Sequence, residues 1–253
     1  MLDCISVENM RLSDQQTVEQ FVPSLELIRR AATGVFQAIS WDGRVGILAG
    51  SGNNGADGFA LAAILKSRNI DVTVFTMSQR LHQDCGYYAR KAGAAGVHIQ
   101  PFQAAQSLLR GYDMIVDCLL GTGFQGELRD SYRSAIEEIN ASGAYVVSVD
   151  INSGLNGDTG EGAVAVCSDV TITVEFVKNG LVSENAAAYI KRLVCIKIGI
   201  MLAREENKIC NEFEWHALCD VTGVTAQQKQ AELSGVIYYR CPDWLDMEPL
   251  YVL

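Results

Sequence analysis

Three segments of the sequence place carboxylate, amide and hydroxyl side chains beside glycines, and each segment follows an apolar run. The first, residues 50–58, has the spacing G-x-G-x-x-G and contains Asn53, Asn54 and Asp57. Between a strand and a helix, such glycines let the backbone approach a ligand and direct amide groups at it. The motif alone is weak, because a tight strand-to-helix turn without a ligand has the same glycines.

Two features of this first segment disfavour ordinary dinucleotide binding. A Rossmann dehydrogenase has an acidic residue about 20 residues further on that binds the ribose hydroxyls. Here that stretch, residues 75–78, is Phe-Thr-Met-Ser. Asp57 also stands where a pyrophosphate would meet the helix N-terminus, and its carboxylate repels phosphate. Asn53, Asn54 and Asp57 instead suit hydroxyls, an amide or a cation, while a helix-capping role for Asp57 stays open.

The second segment begins at Asp117 and continues into three glycines within six residues. Together with the Thr122 hydroxyl, these glycines form an amide-rich loop that can hold a phosphate without a strong positive charge. Asp117 ends an apolar strand, and a buried carboxylate there requires a cation, a hydrogen-bond donor or a proton. A core aspartate with ordinary hydrogen bonds is the competing interpretation.

The third segment starts at Asp150, which ends another apolar run and precedes Ser153 and Gly154. This position puts its carboxylate at the edge of the sheet where ligands bind. A partly desolvated aspartate can have a raised pKa and exchange protons near neutrality. Lys178 follows a later strand, and its role stays open because a single lysine is more often solvated than catalytic.

These segments need a scaffold that brings their ends together, and the alternation of short β-branched runs with amphipathic ones predicts a parallel sheet covered by helices on both faces. The predicted strands are residues 44–49, 71–77, 97–100, 114–119, 144–149, 171–174 and 194–198. The predicted helices are residues 58–68, 81–95, 104–109 and 130–140. Two N-terminal helices, residues 7–21 and 24–39, separate at Pro23 and dock on the flank of the sheet.

In this order and spacing, the motifs resemble the YjeF N-terminal domain family, the NAD(P)H-hydrate epimerases. The resemblance covers roughly residues 5–200 and rests on GNNGADG at 52–58, DCLLGTGFQG at 117–126, SVDINSGL at 148–155 with DTG at 158–160, and KNGL at 178–181. It implies a Rossmann-like three-layer αβα sandwich. It also implies an isomerase that interconverts the R and S epimers of NADHX and NADPHX, the hydrated forms of the reduced nicotinamide cofactors.

The resemblance further implies a set of site residues. A potassium ion would be bound by Asn54, Asp117 and Ser153, whose hard oxygen atoms suit such a cation. The substrate would contact Asp150 and two loops, made of Asn53, Asn54, Gly55, Ala56, Asp57, Gly121, Thr122, Gly123, Phe124, Gln125, Gly126 and Glu127.

We expect acid–base exchange of the ring hydroxyl. A protonated group assists departure of hydroxide, the ring nitrogen stabilises the resulting iminium ion, and water returns to the opposite face. Asp150 is the expected proton carrier and Lys178 the second choice. Two residues depart from the family pattern, Ala56 at a usual glycine and Asn152 at a usual proline, and neither change removes an expected contact atom.

The composition excludes several function classes. A net charge of −10 over 253 residues repels nucleic acid and anionic membrane surfaces. No apolar run approaches the roughly 18 residues that a membrane span needs. Eight cysteines without a C-x-x-C pair indicate buried free thiols, and the absence of signal-peptide features indicates a cytoplasmic protein.

The chain is predicted to hold an epimerase domain, residues 1–200, and an extension of unknown role, residues 201–253, with nine acidic and four basic residues. We expect the NAD(P)H-hydrate dehydratase of the same pathway on a separate chain, and the family resemblance makes a homodimer plausible. Two other classes stay open. One is a non-catalytic Rossmann-like nucleotide-binding or dimerising scaffold, and the other is a nicotinamide-dependent dehydrogenase, which residues 75–78 disfavour.

Overall fold

The computed structural model describes residues 4–104, 108–124 and 126–206, and within these ranges seven strands form one parallel sheet. The helices are α1 (Val7–Gln20), α2 (Ser24–Ala38), α3 (Asn53–Ser67), α4 (Gln83–Ala94) and α5 (Asp130–Asn140). The strands are β1 (Cys4–Ile5), β2 (Arg44–Ala49), β3 (Asp71–Thr76), β4 (His98–Pro101), β5 (Met114–Cys118), β6 (Tyr145–Val149), β7 (Val170–Val174), β8 (Val177–Lys178) and β9 (Leu193–Ile196). The sheet order is β4-β3-β2-β5-β6-β7-β9, and β1 pairs separately with β8.

The sheet is covered on both faces because its strands direct successive side chains to opposite sides. On β2, Val45 and Ile47 pack in one core cluster with α2, α3 and α4. Leu48 lies in a second cluster with Ile136 and Ile139 of α5. The predicted α/β class with helices on both faces of a parallel sheet is therefore confirmed.

The predicted strands match the observed ones to within two residues at each end, but two helix predictions are wrong. The helix predicted at 58–68 begins five residues earlier, at Asn53, because Gly52 already has the extended conformation of an N-cap. Of the helix predicted at 104–109, residues 105–107 lie outside the described part of the chain, and Leu108 and Leu109 belong to a 3₁₀ turn, Leu108–Gly111.

A polar stripe on α1 binds the chain that follows β9. The side chains of this stripe form hydrogen bonds with the backbone of residues 201–204, which runs antiparallel to the helix. Met201 N donates to Thr17 Oγ1, and Ala203 N donates to Ser13 Oγ. Asn9 Nδ2 donates to Arg204 O. Glu206 accepts both from the Ser6 amide and from its hydroxyl. Residues 201–206 thus pack on α1, just beyond the predicted domain end at residue 200; the division itself stays a prediction.

The described cysteines are free thiols. Cys4, Cys85, Cys118 and Cys195 are buried as predicted, whereas Cys167 is exposed. Burial raises the pKa of the Cys85 thiol to about 12, so this thiol stays protonated and unreactive. Among the described helices, none has the length and apolar character needed to cross a membrane.

Replacement of Thr17 by valine tests the attachment of the chain after β9. Valine keeps the shape but leaves Met201 N without its acceptor, so we expect a loss of about 1–3 kcal/mol in the free energy of unfolding, measured with urea. Gln16→Ala, an exposed change on the same helix, should leave stability nearly unchanged. Equal unfolding midpoints for Thr17→Val and the parent protein would contradict this role.

Candidate active site

The loops after β2, β5 and β6 border one cavity of about 600 Å³. The chain leaves β2 toward β3 and β4 and returns on the other side of β2 to form β5. A reversal of this kind separates neighbouring loops at the carboxyl edge of a parallel sheet, and ligands bind in the resulting crevice. Predicted residues that line it are Asn53, Asn54, Gly55, Asp57, Gly121, Thr122, Gly123, Phe124, Glu127 and Asp150.

The remaining predicted residues lie elsewhere. Ala56 is fully buried in α3, where the helical backbone needs no glycine. Gly126 has a φ of +86° in the turn after the loop, and Gln125 lies outside the described residues. Asp117, Ser153 and Lys178 are buried at the carboxyl edge of the sheet, next to residues of the cavity wall.

The first glycine segment is built for close packing of backbones. A Cβ atom at Gly55 would lie 2.0 Å from the carbonyl oxygen of Gly50, and one at Gly50 would lie 2.0 Å from that of Leu119. At Gly58, a Cβ would lie 2.9 Å from Cys118 Cβ. The glycines therefore let α3 start directly against β2 and β5, which brings Asn53, Asn54 and Asp57 to the cavity on the first two helical turns.

The side-chain oxygen of Asn54 is buried and accepts no hydrogen bond from the described residues. Its side-chain nitrogen donates to Leu120 O and Val149 O, at 2.8 and 3.1 Å, and this fixes the orientation of the amide. Its Oδ1 is buried and has no hydrogen-bond partner among the residues that the structure describes. Such an oxygen is costly unless a donor or a cation reaches it.

Asp117 is fully buried and accepts four hydrogen bonds. Ser153 donates its hydroxyl at 2.5 Å and its amide at 2.9 Å, Ser148 donates its hydroxyl at 3.0 Å, and Leu119 donates its amide at 3.2 Å. Burial raises the pKa of Asp117, and the bonds from Ser153, Leu119 and Ser148 oppose that increase. The hydrogen-bonded core aspartate that the sequence left open is thus present in this structure.

The second glycine loop is anchored to Asp150 and to α1. The Thr122 amide donates to Asp150 Oδ2 at 3.2 Å, while the Arg11 guanidinium donates to Thr122 O, with Nε at 2.8 Å. A Cβ at Gly121 would lie 2.9 Å from the same Asp150 oxygen. The loop is therefore held next to this carboxylate, and glycine is required there for space.

Asp150 and Lys178 form a buried ion pair. The Lys178 ammonium, which is 0% exposed, donates to Asp150 Oδ1 at 2.5 Å, to Val174 O at 2.9 Å and to Thr173 Oγ1 at 3.1 Å. These bonds use all three of its hydrogens. Asp150 has a φ of +71°, an uncommon conformation that turns its carboxylate from the end of β6 toward the cavity.

Asp57 does not cap α3, which corrects the alternative left open by the sequence. It lies in the second turn and lines the cavity. Burial raises its pKa well above the usual value, and the nearby charges of Asp150 and Asp14 raise it further, against a smaller opposing effect of Lys178. Asp57 therefore holds a proton at a pH where an ordinary aspartate is ionised.

Sequence reasoning missed the contribution of α1, which places Met10, Arg11 and Asp14 in the cavity wall. The sequence of α1 nevertheless contained a sign that the helix does more than pack on the sheet. The helix buries Asn9, Ser13 and Thr17 and has few apolar residues, so a simple docking role on the sheet does not account for its composition. The partners of those polar residues, however, come from residues 201–206, almost 200 positions away.

Comparison with known proteins decides the family. The model of the YjeF-related protein N-terminus matches residues 24–180. The chain belongs to this family. A crystal structure of a yeast protein (ynu0, YNL200c) is similar to this YjeF N-terminal domain with a TM-score of 0.66 and 19% identity, covering 82% of this chain and 98% of the yeast chain. That likeness supports the fold.

Several curated relatives are more similar to this chain in sequence than the yeast protein is. An NAD(P)H-hydrate epimerase from Limosilactobacillus fermentum is 34% identical over 196 residues, 75% of this chain and 94% of the relative. One from Rhodopirellula baltica is 35% identical over 207 residues, 78% of this chain and 85% of the relative. A bifunctional NAD(P)H-hydrate repair enzyme from Coxiella burnetii is 35% identical over 199 residues, but these make up only 40% of its length.

Two lysine–aspartate ion pairs of this YjeF N-terminal domain, one buried and one exposed, test whether burial makes an ion pair important for stability. Lys178→Met leaves Asp150 without its buried cation, so we expect a loss of about 3–5 kcal/mol in the free energy of unfolding. Lys191→Met removes an ion pair with Asp169 in which the lysine side chain is 76% exposed, and should leave the unfolding midpoint nearly unchanged. Denaturant titrations of both variants provide the measurement; equal effects would contradict the model of a buried pair.

Proposed function

We propose that the chain is an NAD(P)H-hydrate epimerase that interconverts the R and S forms of NADHX and NADPHX. The observation that carries the proposal is the Asp150 carboxylate, which is paired with the buried Lys178 and lines a cavity between two glycine segments. The chain is also similar to a curated epimerase over 94% of that relative's length. The compared relatives give no support to a non-catalytic scaffold, and a scaffold has no need for several carboxyls around one cavity.

The residues around the cavity supply what the reaction needs. Epimerisation breaks the bond between the hydrated ring carbon and its oxygen, and the ring nitrogen stabilises the resulting cation. The Asp150 carboxylate, paired with Lys178 and 13% exposed, lines the cavity, and a carboxylate beside the ring favours a cationic intermediate. Its free lone pairs can also accept the proton of the water molecule that returns.

The cavity also suits the rest of a dinucleotide. The three cationic or titratable basic side chains in its wall are Arg11, His82 and Arg129, as far as the described residues show. Arginine guanidinium groups and loop amides both bind phosphate oxygens. We therefore assign the phosphates to the side of the cavity with Arg129 and the second glycine loop, which adds arginine to the loop amides expected from the sequence.

A potassium ion held by Asn54, Asp117 and Ser153 is part of the proposal. Asn54 Oδ1 supports it, because a buried oxygen without a donor is the kind of ligand that a cation takes. Asp117 adds a buried negative charge, although its four acceptor positions are filled in this structure. Ser153 Oγ also lies 3.4 Å from Leu120 O, so its proton can turn to that carbonyl and leave an Asp117 oxygen free. The ion would supply positive charge that orders the loops.

A dehydratase that acts on the same hydrated cofactors is the expected partner in the pathway. The repair enzymes of Coxiella burnetii and Archaeoglobus fulgidus are bifunctional, and this chain matches 40% and 38% of their lengths. We propose that the epimerase supplies such a dehydratase with the epimer that the dehydratase accepts.

We further propose that the epimerase works in the cytoplasm, where reduced thiols and nicotinamide cofactors occur together. A homodimer stays a prediction that sedimentation analysis can test.

Asp150→Asn tests the central catalytic assignment. Asparagine has the size of aspartate, tolerates positive φ and keeps an oxygen acceptor for Lys178, but it leaves the buried ammonium without a counter-charge. We therefore also expect a loss of about 3–5 kcal/mol in the free energy of unfolding, and urea unfolding checks that the variant is folded under the assay conditions. We expect epimerisation of purified NADHX, followed by chiral separation, to slow by about 10²–10⁴-fold. Asp71→Asn, an exposed change at the opposite end of the sheet, serves as the control. An unchanged rate for Asp150→Asn would disprove the role.

Potassium binding can be tested without any activity. In a buffer with choline as the main cation, added KCl should raise the melting temperature in a concentration-dependent way, because an ion that binds only the folded state stabilises it. Asn54→Leu should abolish this increment. Asn140→Leu, which removes an amide that bridges Ala165 O and Cys167 N, should lower stability but keep the increment. Identical melting in potassium and choline would refute the ion site.

A further inference from the structure

Asp14 is a carboxyl group in the cavity that neither the motifs nor the proposed function uses. It lies on α1 and lines the same cavity as Asp57 and Asp150. The carboxyls of Asp14 and Asp57 have no hydrogen-bond or ion-pair partner within the described part of the chain. Asp150 differs from both, since Lys178 and the Thr122 amide bind its oxygens.

The surroundings of Asp14 favour its neutral form. Burial raises its pKa, the negative charge of Asp150 raises it further, and Lys178 opposes them with a smaller effect. The other charged or titratable groups in the cavity wall are Arg11 on its own helix and, on other elements, Asp57, His82, Glu127, Arg129 and Tyr132. These surroundings favour a protonated Asp14, whereas Asp150 is ion-paired with Lys178. Different surroundings of two nearby carboxyls are typical of a catalytic acid and base.

The fold fixes α1 relative to the cavity at both ends and along its length. At its start, β1 pairs with β8, the strand that contains Lys178, and the Val7 amide donates to Asp158 Oδ1 at 2.7 Å. Near its end, the Thr17 hydroxyl binds the amide of Met201. In the middle, Arg11 binds Thr122 O of the second glycine loop. A helix held in this way positions Asp14 as firmly as a strand end positions Asp150.

We propose that Asp14 is the general acid of the epimerisation, and that it acts from the α1 side of the cavity while Asp150 acts from the sheet edge. The inference rests on the proposed function. The proposal requires the ring to bind between the two groups, so that each meets a different face, because epimerisation needs departure from one face and addition to the other.

The proton balance of the reaction closes with these two groups. The Asp14 carboxyl gives its proton to the ring hydroxyl; the carbon–oxygen bond breaks, both electrons stay with oxygen, and water leaves. The ring nitrogen lone pair forms the iminium double bond. Water then adds to the opposite face, a new carbon–oxygen bond forms, and its surplus proton passes to Asp150. The reverse epimerisation runs from the resulting protonation states, and exchange with water restores the starting states.

Asp57 is the rival for this role, and its position makes it less suitable. It lies on α3, and its pKa is raised by both Asp14 and Asp150 in addition to burial. Asp57 belongs to the first glycine segment together with Asn53 and Asn54, which we assign to substrate binding, so we assign it a hydrogen bond to the substrate. Asp14 comes from a different helix, α1, and is therefore the carboxyl that we assign to proton transfer.

Steady-state kinetics with NADHX epimers test the proposal. Asp14→Asn should lower kcat by about 100-fold or more and leave KM nearly unchanged. In the parent enzyme, kcat should fall as pH rises through the pKa of Asp14, and that fall should be missing in the variant. Asp14→Glu should keep part of the rate, Asp57→Asn should chiefly raise KM, and Glu19→Gln, an exposed change on the same helix, should behave like the parent enzyme.

The possible outcomes distinguish a failure of the proposed epimerase function from a failure of the proposed role of Asp14. A parent enzyme that fails to interconvert the epimers overturns the proposed function and the role of Asp14 with it. An active parent enzyme with an equally active Asp14→Asn variant overturns only the role of Asp14. A raised KM with unchanged kcat would make Asp14 a binding residue and overturns the role as well.

Stability measurements give a readout that does not depend on activity. Because the pKa of Asp14 is higher in the folded state than in the unfolded chain, its ionisation opposes folding as pH rises. The Asp14→Asn variant should therefore gain stability relative to the parent between mildly acidic and neutral pH, as followed by urea unfolding. A difference in stability that does not change with pH would contradict a proton-holding Asp14.

Discussion

The buried ammonium group of Lys178 imposes the constraint on which the site depends. A charge removed from water needs three oxygen acceptors, and they come from β7 and from the end of β6. To reach this ammonium, Asp150 adopts a positive φ, and its second oxygen then accepts from the Thr122 amide. The position of the second glycine loop, and the need for glycine at position 121, follow from that contact.

The cavity combines this ion pair with two carboxyls, Asp14 and Asp57, that have no hydrogen-bond or ion-pair partner among the residues that the structure describes. Burial raises the pKa of both Asp14 and Asp57, and the charge of Asp150 raises both further. Such groups lower the stability of the fold, and proteins keep them where chemistry needs them. The formal net charge of −10 counts both carboxyls as ionised, although their surroundings favour the protonated form.

Several motif residues act by holding elements together and do not touch the cavity. Asp158 binds the first amide of α1, and Gly160, at φ +71°, lies where a Cβ would be 2.0 Å from Ser183 Oγ. Asn152, at a position where the family usually has proline, is buried and bonded to Val166 O and Thr171 Oγ1. A side-chain network thus replaces the stiffness of proline, which explains how this chain tolerates the change.

Local sequence was sufficient for the sheet, for the ends of most elements and for the residues at the carboxyl edges of β2, β5 and β6. Alternation of apolar side chains and the position of polar residues after each strand are local signals, and parallel strands bring such residues to one edge. The start of α3 at Asn53 was not predictable in this way, because contacts with Gly50 and Cys118 outweigh the low helix propensity of its glycines. Nor could local pattern show that α1 contributes Arg11 and Asp14.

The sequence by itself determined which side chains lie at the carboxyl edge of the sheet, because each of them follows its strand within a few residues. Only the tertiary structure decided which carboxyl is paired and which keeps a proton, because burial and charge depend on residues far apart in the chain.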